Sequence, residues 1–196
     1  FEFLGCPLVQ GYGLSENSPV VTSNTVRHHR NESVGFPVKG TSLRIAEPDS
    51  RGIGEIEVKS PSLMLGYYKN PEATNLVFTG DRWLRTGDLG KINKGYLYLA
   101  GRLKNIIVTN SGKNIYPEEI EAEFSMSDNI AEVMVTGRES HSGSGIDSLA
   151  ALCVPDYESI ESRYGKNGKD PDFIRQLVSE EIAAVNKKLP SYKKIS

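Results

Sequence analysis

Residues Trp83 to Glu121 read WLRTGDLGKINKGYLYLAGRLKNIIVTNSGKNIYPEEIE, and no other stretch limits the architecture as much. Two runs with strand-like alternation lie on either side of Gly101-Arg102-Leu103-Lys104. In the first, Trp83 to Arg85 forms a strand that enters a turn at Thr86-Gly87-Asp88. LGKIN and GYLYLAG then pair as a hairpin through Lys94-Gly95. In the second, NIIVTNSGKNI leads into a helix at Pro117, with acids in its first turn and Ile120 and Phe124 on one face. A hinge needs only a few residues. The pattern therefore predicts a β-rich body over 1–101, a hinge at 102–104 and a small α+β body over 105–196. A carboxylate at Asp88, an arginine at the joint and a glycine loop beyond it suit a nucleotide-handling cleft between two moving bodies.

The rest of the chain fits that division. Pro7 to Gln10 reads as a short buried strand that breaks into Gly11-Tyr12-Gly13. SLRIAE and GEIEVKS alternate with period two, as antiparallel strands of a small barrel or sheet would. Asn70-Pro71 has the form of a helix cap followed by proline at the first helical position. Tyr67 and Tyr68 beside it are read as packing residues. AEVMVTG and SLAALCV are strands, and ESHSGSG between them is a flexible loop. Asp170-Pro171 caps a long helix whose core face is Ile174, Leu177, Val178, Ile182, Val185 and Leu189.

Composition excludes several classes. A net charge of -2 gives no electrostatic case for nucleic acid. No apolar run is long enough to span a bilayer, and FEFLGCPLVQ lacks the form of a signal peptide. Peripheral membrane association stays compatible with the sequence. Cys6 and Cys153 match no metal spacing and are expected as reduced, buried thiols of a cytoplasmic protein. His28, His29 and His141 form no ligand set with them. Both ends stop abruptly, which predicts a fragment.

Chemistry concentrates at two places. Gln10, Gly11, Tyr12 and Gly13, followed by Ser15 and Glu16, put an aromatic ring, a hydroxyl and a carboxylate at the exit of a strand. That is where α/β sheets commonly bind ligands. Adenine against Tyr12, phosphate at Ser15 and magnesium at Glu16 is the functional reading, since magnesium takes few carboxylates besides phosphate oxygens. A glycine-rich turn with an incidental acid explains the same residues. Asp88 can accept two hydrogen bonds from a vicinal diol such as ribose; a turn aspartate bonding its own backbone is the competing account.

Taken in order, QGYGLSE, GEIEVKSPSLMLGYYKNPEAT, WLRTGD and GRLKNIIVTNSGKNIYPEEIE resemble the adenylate-forming superfamily: acyl-CoA synthetases, luciferases and peptide synthetase adenylation domains. The wording is most similar to long-chain fatty acid–CoA ligases. The resemblance implies α/β and α+β architecture, with the last strand region and β-barrel of a large AMP-binding domain followed by a small mobile domain, truncated here. It implies a two-step reaction: a carboxylic acid attacks the α-phosphate of ATP, and the thiol of CoA then displaces AMP. By the same resemblance Tyr12 packs on adenine and Gln10 meets its edge. Ser15 contacts the α-phosphate and Glu16 binds Mg2+. Asp88 holds the ribose hydroxyls, Arg102 contacts ribose or phosphate, and Lys104 is the hinge residue. Gly112 lies where the pantetheine arm of CoA passes.

The family's Gly/Ser/Thr-rich phosphate loop ending in lysine and its lysine in a Thr-Gly-Lys context have no counterparts here. Lys193 and Lys194 are read as solvated residues after a helix. These 196 residues alone are accordingly expected to lack adenylation activity. The substrates implied for the whole enzyme are a fatty acid, ATP and CoA. Two alternatives are an amino- or aryl-acid adenylating domain that passes its product to a carrier protein, and a non-catalytic nucleotide-binding module.

Overall fold

Alternation and turn chemistry place the strands, and the computed structural model describes residues 2–139 and 145–196. The chain divides into two compact units, Phe1–Lys104 and Asn105–Ser196. In the first, β1 (Gly11–Gly13), β2 (Val20–Ser23) and β3 (Phe36–Pro37) form an antiparallel sheet. β4 (Ser42–Ala46), β5 (Gly54–Lys59), β6 (Leu84–Asn93) and β7 (Tyr96–Arg102) form a second, with neighbours in chain order. The sheets are open and do not close into the barrel that the resemblance implied. Val21 from the first sheet packs with Ile56, Val58 and Leu97 from the second, all of them fully buried. Each such side chain contributes roughly 1.5–3 kcal/mol by leaving water, so the core ties together the strands that carry the candidate site.

Between β5 and β6 the chain forms α1 (Pro71–Val77), a single short helix. The Asn70 side chain accepts a hydrogen bond from the Ala73 N–H, and proline follows at the first helical position, as the Asn-Pro pair predicted. β6 and β7 meet through Lys94-Gly95, with Asn93 opposite Tyr96.

The second unit opens with the short hairpin β8 (Ile107–Val108) and β9 (Asn114–Ile115), followed by α2 (Pro117–Glu121). β10 (Ile130–Glu139) pairs antiparallel with β11 (Ile146–Pro155). α3 (Tyr157–Tyr164) and α4 (Pro171–Lys188) follow, each capped by an aspartate, Asp156 and Asp170. Ile120, Phe124, Val135, Leu149, Val185 and Ile195 share one core. The loop expected over ESHSGSG, with His141, falls largely outside the described residues.

Four expectations change. Pro7 to Gln10 is neither strand nor buried: Leu8 and Val9 face solvent, because the partner strand β2 pairs only with residues 11–13. Asp88 does not sit on a tight turn but inside the long strand β6. Cys6 is exposed and Cys153 only partly covered, and both are free thiols. Lys193 is not solvated: it is buried, and its ammonium pairs with the Glu119 carboxylate. Around it the final residues are pinned. The Ser196 N–H donates to the Leu149 carbonyl at 2.9 Å and the Ile195 N–H to Asn186 Oδ1 at 2.8 Å.

Candidate functional site

Strand register creates the site at Asp88. On β5, Glu55 faces Leu89 and Glu57 faces Arg85, so Thr86, Gly87 and Asp88 of β6 stand against Ile56 alone. This is an enlarged bulge, three residues against one, a device that re-aims side chains. Gly87 takes φ +70, a left-handed conformation open to glycine at no steric cost. The freed backbone groups are satisfied locally. The Thr86 hydroxyl donates to the Ile56 carbonyl at 2.8 Å, and the Gly87 N–H donates to Glu55 Oε1 at 3.0 Å. The bulge turns Asp88 toward its cross-strand neighbour Arg102, whose Nε lies 3.2 Å from Oδ1.

Tyr12 reaches the same carboxylate from the other sheet, its hydroxyl donating to Asp88 Oδ2 at 2.7 Å. Burial, then the bond to Asp88, raises the Tyr12 phenol well above the ordinary tyrosine value. It is therefore a fixed neutral donor at physiological pH. The glycines flanking it answer to packing within the chain. A Cβ at Gly13 would lie 2.2 Å from the Pro19 carbonyl oxygen, where β1 slips register against β2.

Asp88 and Arg102 line an open cleft of about 780 Å³ in the first unit, with Tyr12 holding the carboxylate from behind that wall. Ser15, Glu16, Asp88, Arg102 and Lys104 contribute to its wall together with Tyr67 and Arg85. Ser15 and Glu16 lie on a short 3-10 turn, Ser15–Asn17, just after β1. Its last member, Asn17, is buried and donates from Nδ2 to the Val20 carbonyl at 2.9 Å, which fixes the turn. Gln10 is placed apart, lining a separate hollow of about 380 Å³ with Asn24 and Arg30. Gly112 belongs to the second unit, in the β8–β9 turn at φ +73, with open space where a Cβ would project.

The donor set fits a nucleotide. An ionised carboxylate offers about four acceptor positions. Tyr12 and Arg102 engage one on each Asp88 oxygen, which leaves acceptor capacity for two adjacent hydroxyls. Arg102, Lys104 and Arg85 supply positive charge along the same wall, suited to phosphate. Glu16 is a half-buried carboxylate. Among the described residues no three His, Cys, Asp or Glu side chains gather into a metal group. A single carboxylate suits magnesium, which keeps water and phosphate oxygens as its other ligands.

Two contributors were not legible in the sequence. Tyr67, read as packing, donates its hydroxyl to Glu16 Oε1 at 3.0 Å, across 51 residues. Burial, then Glu16, raises its phenol above the usual value. Glu55 supports the bulge at Gly87 through a contact that only the strand register reveals. Tyr68, also read as packing, is 87% exposed.

Comparison with known proteins adds the following. Residues 1–68 match the family model of AMP-binding enzymes. The chain is 36% identical to a probable acyl-activating enzyme 16, chloroplastic, of Arabidopsis thaliana over 94% of this chain and 27% of that protein. It is 33% identical to the chloroplastic long-chain-fatty-acid–[acyl-carrier-protein] ligase AEE15 of the same plant, over 93% of this chain and 26% of that one. Identity to the long-chain-fatty-acid–CoA ligase FadD15 of Mycobacterium tuberculosis is 34%, over 88% of this chain and 29% of that one. An ATP-bound RpMatB-BxBclM chimera superposes with a TM-score of 0.78 at 31% identity, over 98% of this chain and 36% of the chimera. The O-succinylbenzoate Coenzyme A synthetase MenE of Bacillus subtilis, in complex with ATP and magnesium, gives 0.76 at 26% identity, over 100% and 38%. The chain thus spans between a quarter and a third of the length of these curated relatives. Over nearly its whole length it is similar to these acid-activating enzymes and ligases, the resemblance its motifs carried. No helix among the described residues is long and apolar enough to cross a membrane.

Proposed function

We propose that this chain is part of an ATP-dependent carboxylic acid–CoA ligase that activates a long-chain fatty acid as acyl-AMP and transfers it to CoA. The observation that carries this reading is the Asp88 carboxylate. A bulge aims it, Tyr12 and Arg102 hold it, and it shares a cleft with Ser15, Glu16 and Lys104. Asp88 would hold the ribose hydroxyls, with Tyr12 beside the adenine. Ser15 and Arg102 would meet phosphate, and Glu16 would hold Mg2+, which neutralises phosphate charge when bound. In-line attack on a phosphoryl group needs positioning and charge stabilisation more than covalent help. Residues 1–101 would then belong to the large AMP-binding domain, 102–104 to the hinge and 105–196 to the mobile domain. Gly112 would border the pantetheine path. Rotation about such a hinge lets one cleft serve adenylation and thioester formation in turn.

A carrier protein in place of CoA is the second reading, favoured by the relative named as an acyl-carrier-protein ligase. One experiment separates the two. The full-length protein is incubated with ATP, magnesium and acids from acetate to palmitate, with CoA or a phosphopantetheinylated carrier, and products are read by mass spectrometry. Palmitoyl-CoA supports the first reading, a carrier-bound thioester supports the second, and absence of AMP with every acid refutes both. The 196-residue chain alone is expected to show no acid-dependent pyrophosphate exchange.

A further inference from the structure

We infer that Tyr67 is a positioning residue for Glu16, orienting its carboxylate toward a divalent cation; the inference rests on the reading of Glu16 given above. Three hydrogen bonds tie the segment from Ser60 to Tyr67 onto the turn Ser15–Asn17. The Met64 N–H donates to the Glu16 carbonyl at 2.7 Å. The Ser60 hydroxyl donates to Asn17 Oδ1 at 2.5 Å. The Tyr67 hydroxyl donates to Glu16 Oε1 at 3.0 Å. Backbone and side chain of Glu16 are thus held by the same short segment.

Tyr67 is itself anchored. Its N–H donates to Thr74 Oγ1 at 2.9 Å, and that hydroxyl donates to the Asn70 carbonyl at 2.9 Å, where Asn70 caps α1. The chain passes Thr74 so closely at Gly66 that a Cβ there would lie 2.7 Å from Thr74 Cγ2. The phenol therefore arrives at Glu16 from a fixed frame. Packing alone does not account for it, because Tyr67 is 38% exposed and lines the cleft.

An unrestrained carboxylate turns freely about its terminal bond and can offer either oxygen. A donor on Oε1 restrains the plane of the group and leaves the acceptor capacity of Oε2 for a ligand. Magnesium demands near-octahedral geometry, so a fixed carboxylate plane favours its binding. Groups that orient a metal-side residue commonly alter metal affinity by about tenfold or more when removed.

The test is Mn2+ binding to the full-length protein, followed by electron paramagnetic resonance with a non-hydrolysable ATP analogue present. Y67F should raise the metal dissociation constant about tenfold while leaving metal-free nucleotide affinity unchanged, and E16Q should weaken metal binding at least as much. Y68F, altering the neighbouring solvent-facing ring, should change neither. If E16Q weakens Mn2+ binding and Y67F does not, the role of Tyr67 is refuted while the reading of Glu16 stands. If neither does, the reading of Glu16 fails and takes the inference with it. Equal weakening of metal and metal-free nucleotide by Y67F would mark it as a structural residue and also refute the inference.

Discussion

Asp88→Ala tests the proposed nucleotide site most directly, because its effect can be separated from structural damage by changing the ligand as well. In the structure the carboxylate is engaged by Tyr12 at 2.7 Å and by Arg102 at 3.2 Å, and about two acceptor positions remain for ribose. Hydrogen bonds to a charged acceptor contribute about 1.5–3 kcal/mol each. The cleft is open to water, so the lower end applies, roughly tenfold in affinity per hydroxyl. Wild-type protein should therefore bind ATP about tenfold more tightly than 2′-deoxy-ATP. Asp88→Ala should lose about a hundredfold in ATP affinity and bind both nucleotides equally. Isothermal titration with the two ligands on both proteins closes the cycle. A variant that still prefers ATP tenfold would show that the 2′-hydroxyl is read elsewhere, however much its overall affinity had fallen.

Two further outcomes follow from the same geometry. Tyr12→Phe removes the donor to Asp88 and should cost about 1 kcal/mol of stability at neutral pH. The Tyr12 pKa is raised on folding, so its contribution is full below about pH 10, the ordinary tyrosine value, and is lost as pH rises above it. Urea unfolding across pH 8 to 11 should show the gap between wild type and variant narrowing; a constant gap would refute the assignment. In the second unit, Glu119→Gln leaves the buried Lys193 ammonium uncompensated and should cost roughly 2–3 kcal/mol. Exchange of the Ile195 and Ser196 amides should then accelerate thirtyfold or more, since local opening frees both. Most of that protection should return in the double variant Glu119→Leu/Lys193→Met. Failure of the double variant to recover would mean that the pair is not what pins the terminal segment.

Elements set by local chemistry were legible from the sequence. The cap at Asn70, the hairpin through Lys94-Gly95 and the amphipathic face of α4 each depend on a few adjacent residues. Features set by register were not. Thr86-Gly87-Asp88 has the composition of a turn, yet those residues lie within β6, because β5 and β7 flank it and the three-against-one mismatch is absorbed as a bulge. Lys193 reads as a surface lysine until Glu119, 74 residues earlier, is found beside it. Leu8 and Val9 show the opposite error: apolar residues imply burial, but burial requires a partner strand, and β2 pairs only beyond them.

The same distinction explains why the motifs located the cleft better than they explained it. Tyr12, Ser15, Glu16, Asp88 and Arg102 are each conspicuous in sequence, as an aromatic between glycines, a hydroxyl with an acid, a carboxylate after a glycine and an arginine at a joint. Each alone has an unremarkable explanation, and the sequence cannot choose between them. At Asp88 three elements distant in sequence meet on one carboxylate: Tyr12 from β1, the bulge of β6 and Arg102 from β7. An aspartate that only closed its own turn would need neither a phenol from another sheet nor a cross-strand guanidinium. With Gly87 occupying the left-handed position and Glu55 accepting from its N–H, the local backbone is satisfied without the Asp88 side chain. The carboxylate is thereby left to face the cleft.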